Sequence, residues 1–152
     1  MSDLHDDGAL MEMEAAIDGW LAAARTDNPL ISSVERDADI PWRWYVRLRG
    51  EEKDITTIWL TLGQRTLRYE TYVMPAPEEN HAVFYEHLLR RNDNLVGVQF
   101  SIGAEDAVFL RGELPVAALD GAELDRILGT VYATVEQCFR PALAIGFASR
   151  FR

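Results

Sequence analysis

Histidine and cysteine most often carry metal or nucleophilic chemistry, and this sequence contains few of them. Its single cysteine is Cys138, and its three histidines are His5, His81 and His87. A Cys/His zinc site uses about four ligands, so these residues are too few. His81 and His87 are six residues apart, whereas two metal ligands on one helical face are about four apart. We therefore expect no metal site, and we expect Cys138 to be a small buried side chain rather than a reactive thiol.

The acidic pairs of the sequence do not form a catalytic pattern, because they fall on turns or near a terminus. They are Asp6-Asp7, Glu51-Glu52 and Glu78-Glu79. Solvation is the ordinary role of such pairs, and a general acid or base needs a more sheltered position. The glycines are scattered and form no phosphate-binding loop. We therefore predict a protein that is not an enzyme, has no catalytic residues and needs no cofactor.

Arginine and aromatic residues alternate with aliphatic residues in several segments, and they form the strongest functional pattern. Successive side chains of a β-strand point to opposite faces of the sheet, so these residues should share one face. The candidate protein-binding residues are Arg43, Tyr45, Arg47, Trp59, Arg68 and Tyr72. Tyrosine, tryptophan and arginine are the residue types enriched where protein interfaces concentrate their binding energy.

Three interpretations of this face stay open. The first is a solvated face with cross-strand pairs. The second is a surface for a protein partner or for self-association. The third is a site for a small anion or single-stranded nucleic acid. A formal net charge of −10 opposes nucleic acid, because that affinity comes mostly from neutralised phosphates. Because a bulge would shift the register, the sequence does not decide which sheet face the helices cover.

The elements that should position this face are three helices and five strands. Helical spacing of apolar residues occurs over Met11–Arg25, from Pro77 to Asn92, and from a capped start at Asp120 to Pro141. Pro141 is expected to kink or end the last helix. Period-two alternation predicts strands over Ile40–Arg49, Thr56–Leu62, Thr66–Met74, Val96–Gly103 and Ala107–Pro115. The segment 30–39 is expected to be a loop. Hairpin-length connections make the sheet antiparallel. The expected fold is α+β, with a five-stranded antiparallel sheet and the order α-β-β-β-α-β-β-α.

The length and composition indicate one domain. The chain has 152 residues, of which 48% are hydrophobic, and a chain of this size buries about two-thirds of its unfolded surface. We expect residues 1–9 to be an acidic flexible N-terminus and residues 10–152 to be a single domain. Residues 1–8 are the reverse of a signal peptide, and no stretch approaches about 18 apolar residues. These features, with one cysteine, predict a cytoplasmic protein without an internal disulfide bond.

Three segments resemble a known family. They are Trp42–Leu48, Thr66–Pro75 and Val135–Leu143. The family is YbjN, whose fold is similar to that of type III secretion chaperones (the Tir-chaperone-like fold), and the resemblance covers about residues 10–151. The family is described as regulators of sensory transduction or stress responses without an established set of catalytic residues. The resemblance therefore implies a chaperone-like fold and no active-site residues to transfer.

These observations together predict a bacterial adaptor or chaperone-like module that binds a protein partner in stress or sensory regulation. We expect a homodimer, and we expect neither nucleic acid nor a membrane as a partner. The alternative hypothesis is a regulator that binds a small molecule or nucleotide through the same arginine and aromatic face.

Overall fold

A computed structural model describes residues 7–151, which form three α-helices and six β-strands. The helices are α1 (Asp7–Asp27), α2 (His81–Asn92) and α3 (Gly121–Gly146). The strands are β1 (Ile31–Arg36), β2 (Arg43–Arg49), β3 (Ile55–Leu62), β4 (Thr66–Met74), β5 (Gln99–Ile102) and β6 (Val108–Pro115). Because α1 begins at Asp7, residues 7–9 of the segment expected to be flexible are helical, whereas residues 1–6 lie outside the described part of the chain.

The strands form one antiparallel sheet in the order β1-β2-β3-β4-β6-β5. The prediction of an α+β fold with an antiparallel sheet is confirmed, but the number of five strands is wrong. Residues 31–36, expected to be part of a loop, form the edge strand β1 against β2. A register shift between Ile31 and Ser33 interrupts the alternation of apolar side chains, which is the effect of a β-bulge. The element order is therefore α-β-β-β-β-α-β-β-α.

The start of α2 differs from the prediction, and of the two alternatives at Pro141 the end of the helix is wrong. The segment after Pro77 does not begin α2, because the N–H groups of Glu78 and Glu79 donate to the carbonyl of Gly146, at 2.9 and 3.1 Å. This segment thus binds the end of α3, and α2 starts at His81. Helix α3 continues through Pro141. A proline weakens a helix by removing one hydrogen bond, but the buried residues beyond it keep the last turn packed on the core.

The aliphatic face of the sheet carries the hydrophobic core, and the helices pack on it. Trp44 of β2 lies opposite Leu60 of β3, and both side chains are buried with Ile17 and Leu21 of α1. The indole N–H of Trp44 donates to Asp18 of α1 at 2.7 Å, which fixes α1 over this face. The alternation of side chains therefore leaves the arginine and aromatic residues on the second face, which we call the open face.

A carboxylate on α3 holds the loop between β2 and β3. Glu136 accepts hydrogen bonds from the backbone N–H groups of Glu51, Glu52 and Lys53, at 2.6, 3.2 and 3.1 Å. The hydroxyl of Tyr132 donates to the same carboxylate at 3.3 Å. Burial opposes the charged form of Glu136, but these donors outweigh it and lower the pKa of the carboxyl group. We call this arrangement the Glu136 cradle.

A side chain occupies the outer edge of β5. The amide of Asn92, at the end of α2, accepts from the N–H of Phe100 at 2.7 Å and donates to the carbonyl of the same residue at 3.1 Å. At the opposite edge of the sheet, Arg25 of α1 donates to the carbonyl of Ser32 in β1 at 3.4 Å. Both edge strands therefore have backbone groups bonded to side chains of neighbouring helices.

Candidate functional site

Strand register brings most of the predicted binding residues together on the open face. Tyr45 lies opposite Trp59, and Trp59 lies opposite Glu70, so one row crosses β2, β3 and β4. A second row runs from Arg43 through Thr61 to Arg68. The sequence predicted this common face from alternation alone, and the pairing of the three strands places the rows next to each other.

The centre of the face is a contact between two aromatic rings and a guanidinium group. The rings of Tyr45 and Trp59 meet edge to face, with centroids 5.9 Å apart and planes at 83°. The guanidinium of Arg43 lies 5.6 Å from the indole centroid, within the range of a cation–π attraction. The Nε of Arg43 also donates to the hydroxyl of Thr61 at 3.0 Å. These contacts hold three of the predicted residues in one orientation.

Asp37, in the loop before β2, adds a negative charge beside this cluster. The hydroxyl of Tyr45 donates to its carboxylate. That bond, together with the backbone N–H groups of Ile40 and Asp39, lowers the pKa of Asp37 to about 2. The same bond raises the pKa of Tyr45. Tyr45 is therefore a neutral hydrogen-bond donor whose ring faces Trp59 and whose hydroxyl is already bonded.

A nearly buried glutamate joins β4 to β6. The carboxylate of Glu70 accepts from the Nε of Arg111 at 3.1 Å and lies 3.5 Å from the Nε of Arg68. Only 11% of the Glu70 side chain is exposed, compared with 48% for Arg68. A carboxylate so sheltered needs paired cations to offset its desolvation. Arg111 also donates to Ser101 of β5 at 3.0 Å, so this network crosses three strands.

The other two predicted residues lie on either side of this centre. Arg47 forms an ion pair with Glu35 of β1 at 3.0 Å. Tyr72 packs edge to face on Phe109 of β6, with centroids 5.7 Å apart. The guanidinium of Arg111 lies 4.4 Å from the Phe109 ring centroid. The six predicted residues thus share one face, but Arg47 and Tyr72 touch other neighbours than the central cluster.

Sequence reasoning missed the contribution of β1 and the sheet edge near β5 to this face. Glu35 was placed in a loop, and Phe109, Arg111 and Ser101 were not assigned to the candidate site. By alternation along β6, Phe109 and Arg111 lie on the sheet face opposite to that of Leu110 between them, although Phe109 is also buried. That alternation was the available signal, but the pairing of β4 with β6 was needed to place Arg111 beside Glu70.

An apolar pocket of about 250 Å³ lies between α2 and the end of the sheet at β5. It is lined by Tyr85, Leu88, Leu89, Phe100, Ile102 and Val108 together with two polar residues. Leu89 and Ile102 are 67% and 55% exposed. The sequence analysis did not select this region, although Leu89 is an apolar residue next to the charged end of a helix.

Cys138 and His87 lie elsewhere in the fold. Cys138 is buried on α3, as predicted, and burial raises the pKa of its thiol. His87 on α2 accepts from the Nε of Arg91 at 3.3 Å. Burial, with the positive charge of Arg91, lowers the pKa of this histidine. Neither residue is a neighbour of the open face.

The architecture places the chain among α+β proteins with the fold of type III secretion chaperones. It is similar to the Yersinia pestis type III secretion chaperone SycH, solved in complex with a stable fragment of YscM2. The TM-score is 0.50 at 15% identity, over 77% of this chain and 94% of SycH. At such low identity the likeness concerns the fold alone.

The chain belongs to the YbjN family, described as "Putative bacterial sensory transduction regulator", whose model matches residues 14–144. The resemblance noted in the sequence is therefore confirmed. The uncharacterized protein Rv0487 of Mycobacterium tuberculosis is 37% identical over 119 residues, which cover 78% of this chain. An uncharacterized protein of Mycobacterium leprae, ML2442, is 36% identical over 107 residues. The chain spans 64% of the length of the first relative and 58% of the second.

Among the helices of residues 7–151, none combines the length and the apolar character that a membrane-spanning helix requires.

Proposed function

We propose that the protein is a non-enzymatic adaptor or chaperone-like module that binds a protein partner through the open face. The observation that supports the proposal most is the arrangement of Arg43, Tyr45 and Trp59, which are fixed by mutual contacts and remain partly exposed. Rigid aromatic and arginine side chains lose little conformational freedom on binding, which makes them effective anchors at interfaces.

The charges of the face favour a partner segment that carries carboxylates. Arg47 and Arg68 are 39% and 48% exposed although each is paired with a glutamate. Guanidinium groups have more donors than one carboxylate uses, so they can bind a second acceptor. Arg43 contacts a neutral hydroxyl and an indole, and its remaining donors suit a carboxylate of the partner.

Affinity capture from a native lysate, followed by mass spectrometry, tests partner binding. The test variant replaces three arginines of the open face by glutamine: Arg43, Arg47 and Arg68. The matched control replaces three exposed arginines of the helices by glutamine: Arg90, Arg126 and Arg140.

We expect the test variant to lose the partner captured by the wild type and the control to retain it. The melting temperature should change little for the control, whereas in the test variant Glu70 loses Arg68 and keeps its pair with Arg111, so folding of the test variant is checked before capture. An interfacial arginine can contribute more than about 2 kcal/mol to binding. Raising the salt concentration should weaken capture by the wild type in part, because exposed charges are screened. If the test variant captures the partner at the same yield as the wild type, the open face is only solvated and does not bind the partner.

We also propose a homodimer that uses the open face. Light scattering should give about twice the mass of one chain, and Trp59→Asp should shift it toward one, because an unpaired buried charge costs several kcal/mol. The control is Val83→Asp, at a site on α2 that is 59% exposed. A monomeric wild type, or dissociation by Val83→Asp instead of Trp59→Asp, would contradict this interface.

A role in stress or sensory regulation and a cytoplasmic location are part of the same proposal, and the family description supports the first. The alternative, a regulator that binds a small molecule or nucleotide, uses the same arginines. A nucleotide that raises the melting temperature of the wild type, but not that of the variant lacking the three face arginines, would favour this alternative.

A further inference from the structure

The chain contains one lysine, and its other permanently basic side chains are arginines. Of its 15 lysine and arginine residues, Lys53 is the sole lysine. Arginine stays protonated at any physiological pH, whereas a lysine amine can lose its proton and act as a nucleophile. Lys53 therefore carries the one side-chain amine of the sequence that can act as a nucleophile.

The Glu136 cradle fixes the backbone of that position. The N–H of Lys53 donates to the Glu136 carboxylate at 3.1 Å, and the preceding Glu52 is held both by the cradle and by an ion pair with Arg140. Glu136 and Arg140 both belong to α3, so these contacts attach the loop to that helix and fix the position of the Lys53 backbone. It is half-buried rather than extended into water.

The amine lies at a groove with mainly apolar walls. The groove has a volume of about 480 Å³ and is lined by Lys53 together with Glu52, Asp54, Ile55, Tyr72, Val73, Met74, Pro75, Phe139 and Leu143. The ring centroids of Tyr72 and Phe139 are 6.0 and 5.9 Å from the Lys53 Nζ, at the outer limit of a cation–π attraction. The Nζ donates to the carbonyl of Ile55 at 3.1 Å. The groove leaves room for a small group beside the amine.

Burial raises the fraction of the amine that is in the neutral, nucleophilic form. Burial lowers the pKa of Lys53, and the carboxylate of Asp54 acts in the opposite direction. Of the other titratable groups that line the groove, the carboxylate of Glu52 is paired with Arg140, and burial raises the pKa of the Tyr72 hydroxyl. A larger neutral fraction at neutral pH increases the rate at which an amine attacks a carbonyl carbon.

We propose that Lys53 is a site of Nε-acylation by activated acyl donors, namely acyl phosphates or thioesters. The lone pair of the neutral amine attacks the carbonyl carbon of the donor and forms an N–C bond. The bond from that carbon to the phosphate oxygen, or to the thioester sulfur, breaks and its electron pair leaves with the phosphate or thiolate. The amine proton passes to water. The product is a neutral amide, which suits the apolar walls better than an ammonium ion does.

The test uses acetyl phosphate as the probe and a second lysine as an internal reference. Arg65 lies in the hairpin between β3 and β4 and is exposed, so Arg65→Lys introduces an exposed amine without disturbing the core. The full chain carrying this substitution is incubated with acetyl phosphate at neutral pH. Mass spectrometry of its peptides then gives the acetylation rates of both lysines in the same molecule.

We expect Lys53 to be acetylated at least about threefold faster than the introduced lysine at neutral pH. The ratio should fall at alkaline pH, where both amines are neutral. A rate for Lys53 at or below that of the introduced lysine at neutral pH would overturn the proposal. The experiment uses the purified chain without a partner, so its result is separate from the test of partner binding, although Tyr72 belongs to both the groove and the open face.

Discussion

Replacing Glu136 by glutamine should destabilise the protein, because the Glu136 cradle depends on a negative charge. The carboxylate accepts from three backbone N–H groups and one hydroxyl. In Glu136→Gln one acceptor oxygen becomes an NH₂ group, which faces these donors and cannot accept from them. A hydrogen bond to a charged group contributes about 1.5–3 kcal/mol when it is sheltered from water. Glu136 is partly exposed, so solvent screening reduces the total. We expect a loss of about 2 kcal/mol in the free energy of unfolding.

Urea unfolding followed by tryptophan fluorescence measures this loss at neutral pH. The matched control is Glu86→Gln on α2, where the carboxylate is 67% exposed and pairs with Arg90 four residues along the helix. Such a pair contributes a few tenths of a kcal/mol. If Glu136→Gln changes the free energy of unfolding by no more than this control does, the cradle does not stabilise the fold.

The pH dependence tests whether charge is the cause. The pKa of Glu136 is lower in the folded protein than its ordinary value. Its contribution is therefore fully present above the unfolded carboxyl pKa of about 4.3 and is lost as the pH falls through the folded value. The difference between wild type and Glu136→Gln should be constant near neutrality and should shrink in acid. A difference that persists unchanged at acid pH would refute the electrostatic explanation.

Two further substitutions test the packing. Leu128→Ala on α3 should cost about 2–5 kcal/mol through lost burial and a cavity, and a cost below about 0.5 kcal/mol in urea unfolding would show that Leu128 is not part of the core. Gly112→Ala should destabilise by more than about 1 kcal/mol, because an added Cβ would lie 2.1 Å from the carbonyl oxygen of Gly97 and 2.4 Å from the ring of Tyr69. Its control, Gly129→Ala in α3, adds a Cβ with nothing within 4 Å, so it should instead raise the melting temperature, since alanine favours helices.

The strands with regular alternation could be predicted from the sequence, and those with a register defect could not. Residues 43–74 alternate over three strands, and this alone divided their side chains between the two sheet faces, but it did not decide which face the helices cover. In β1 the bulge after Ile31 removes the period of two. The start of α2 was wrong for another reason: the backbone of Glu78 and Glu79 bonds to Gly146, some 70 residues away in the chain. Local pattern contains no information about such a contact.

In the candidate site, too, some contacts could be predicted from alternation and others depended on the tertiary fold. Arg43, Tyr45 and Trp59 come from adjacent strands of one meander, so alternation was sufficient to bring them together. The pairing of Glu70 with Arg111 joins strands that are separated by α2 and β5. Alternation placed both side chains opposite the aliphatic residues of their strands. It could not predict that they are neighbours, because the order of β4, β6 and β5 in the sheet is a property of the tertiary fold.

The amide of Asn92 at the edge of β5 has a consequence for assembly. By bonding both backbone groups of Phe100, it takes the place that the backbone of another molecule would need in order to continue the sheet. An uncovered edge permits open-ended growth, since each added chain presents a new edge to the next. Strand addition would therefore compete with Asn92 at Phe100 and with Arg25 at the carbonyl of Ser32. In the homodimer proposed above, pairing of two copies through a face closes on itself and ends the assembly at a finite size.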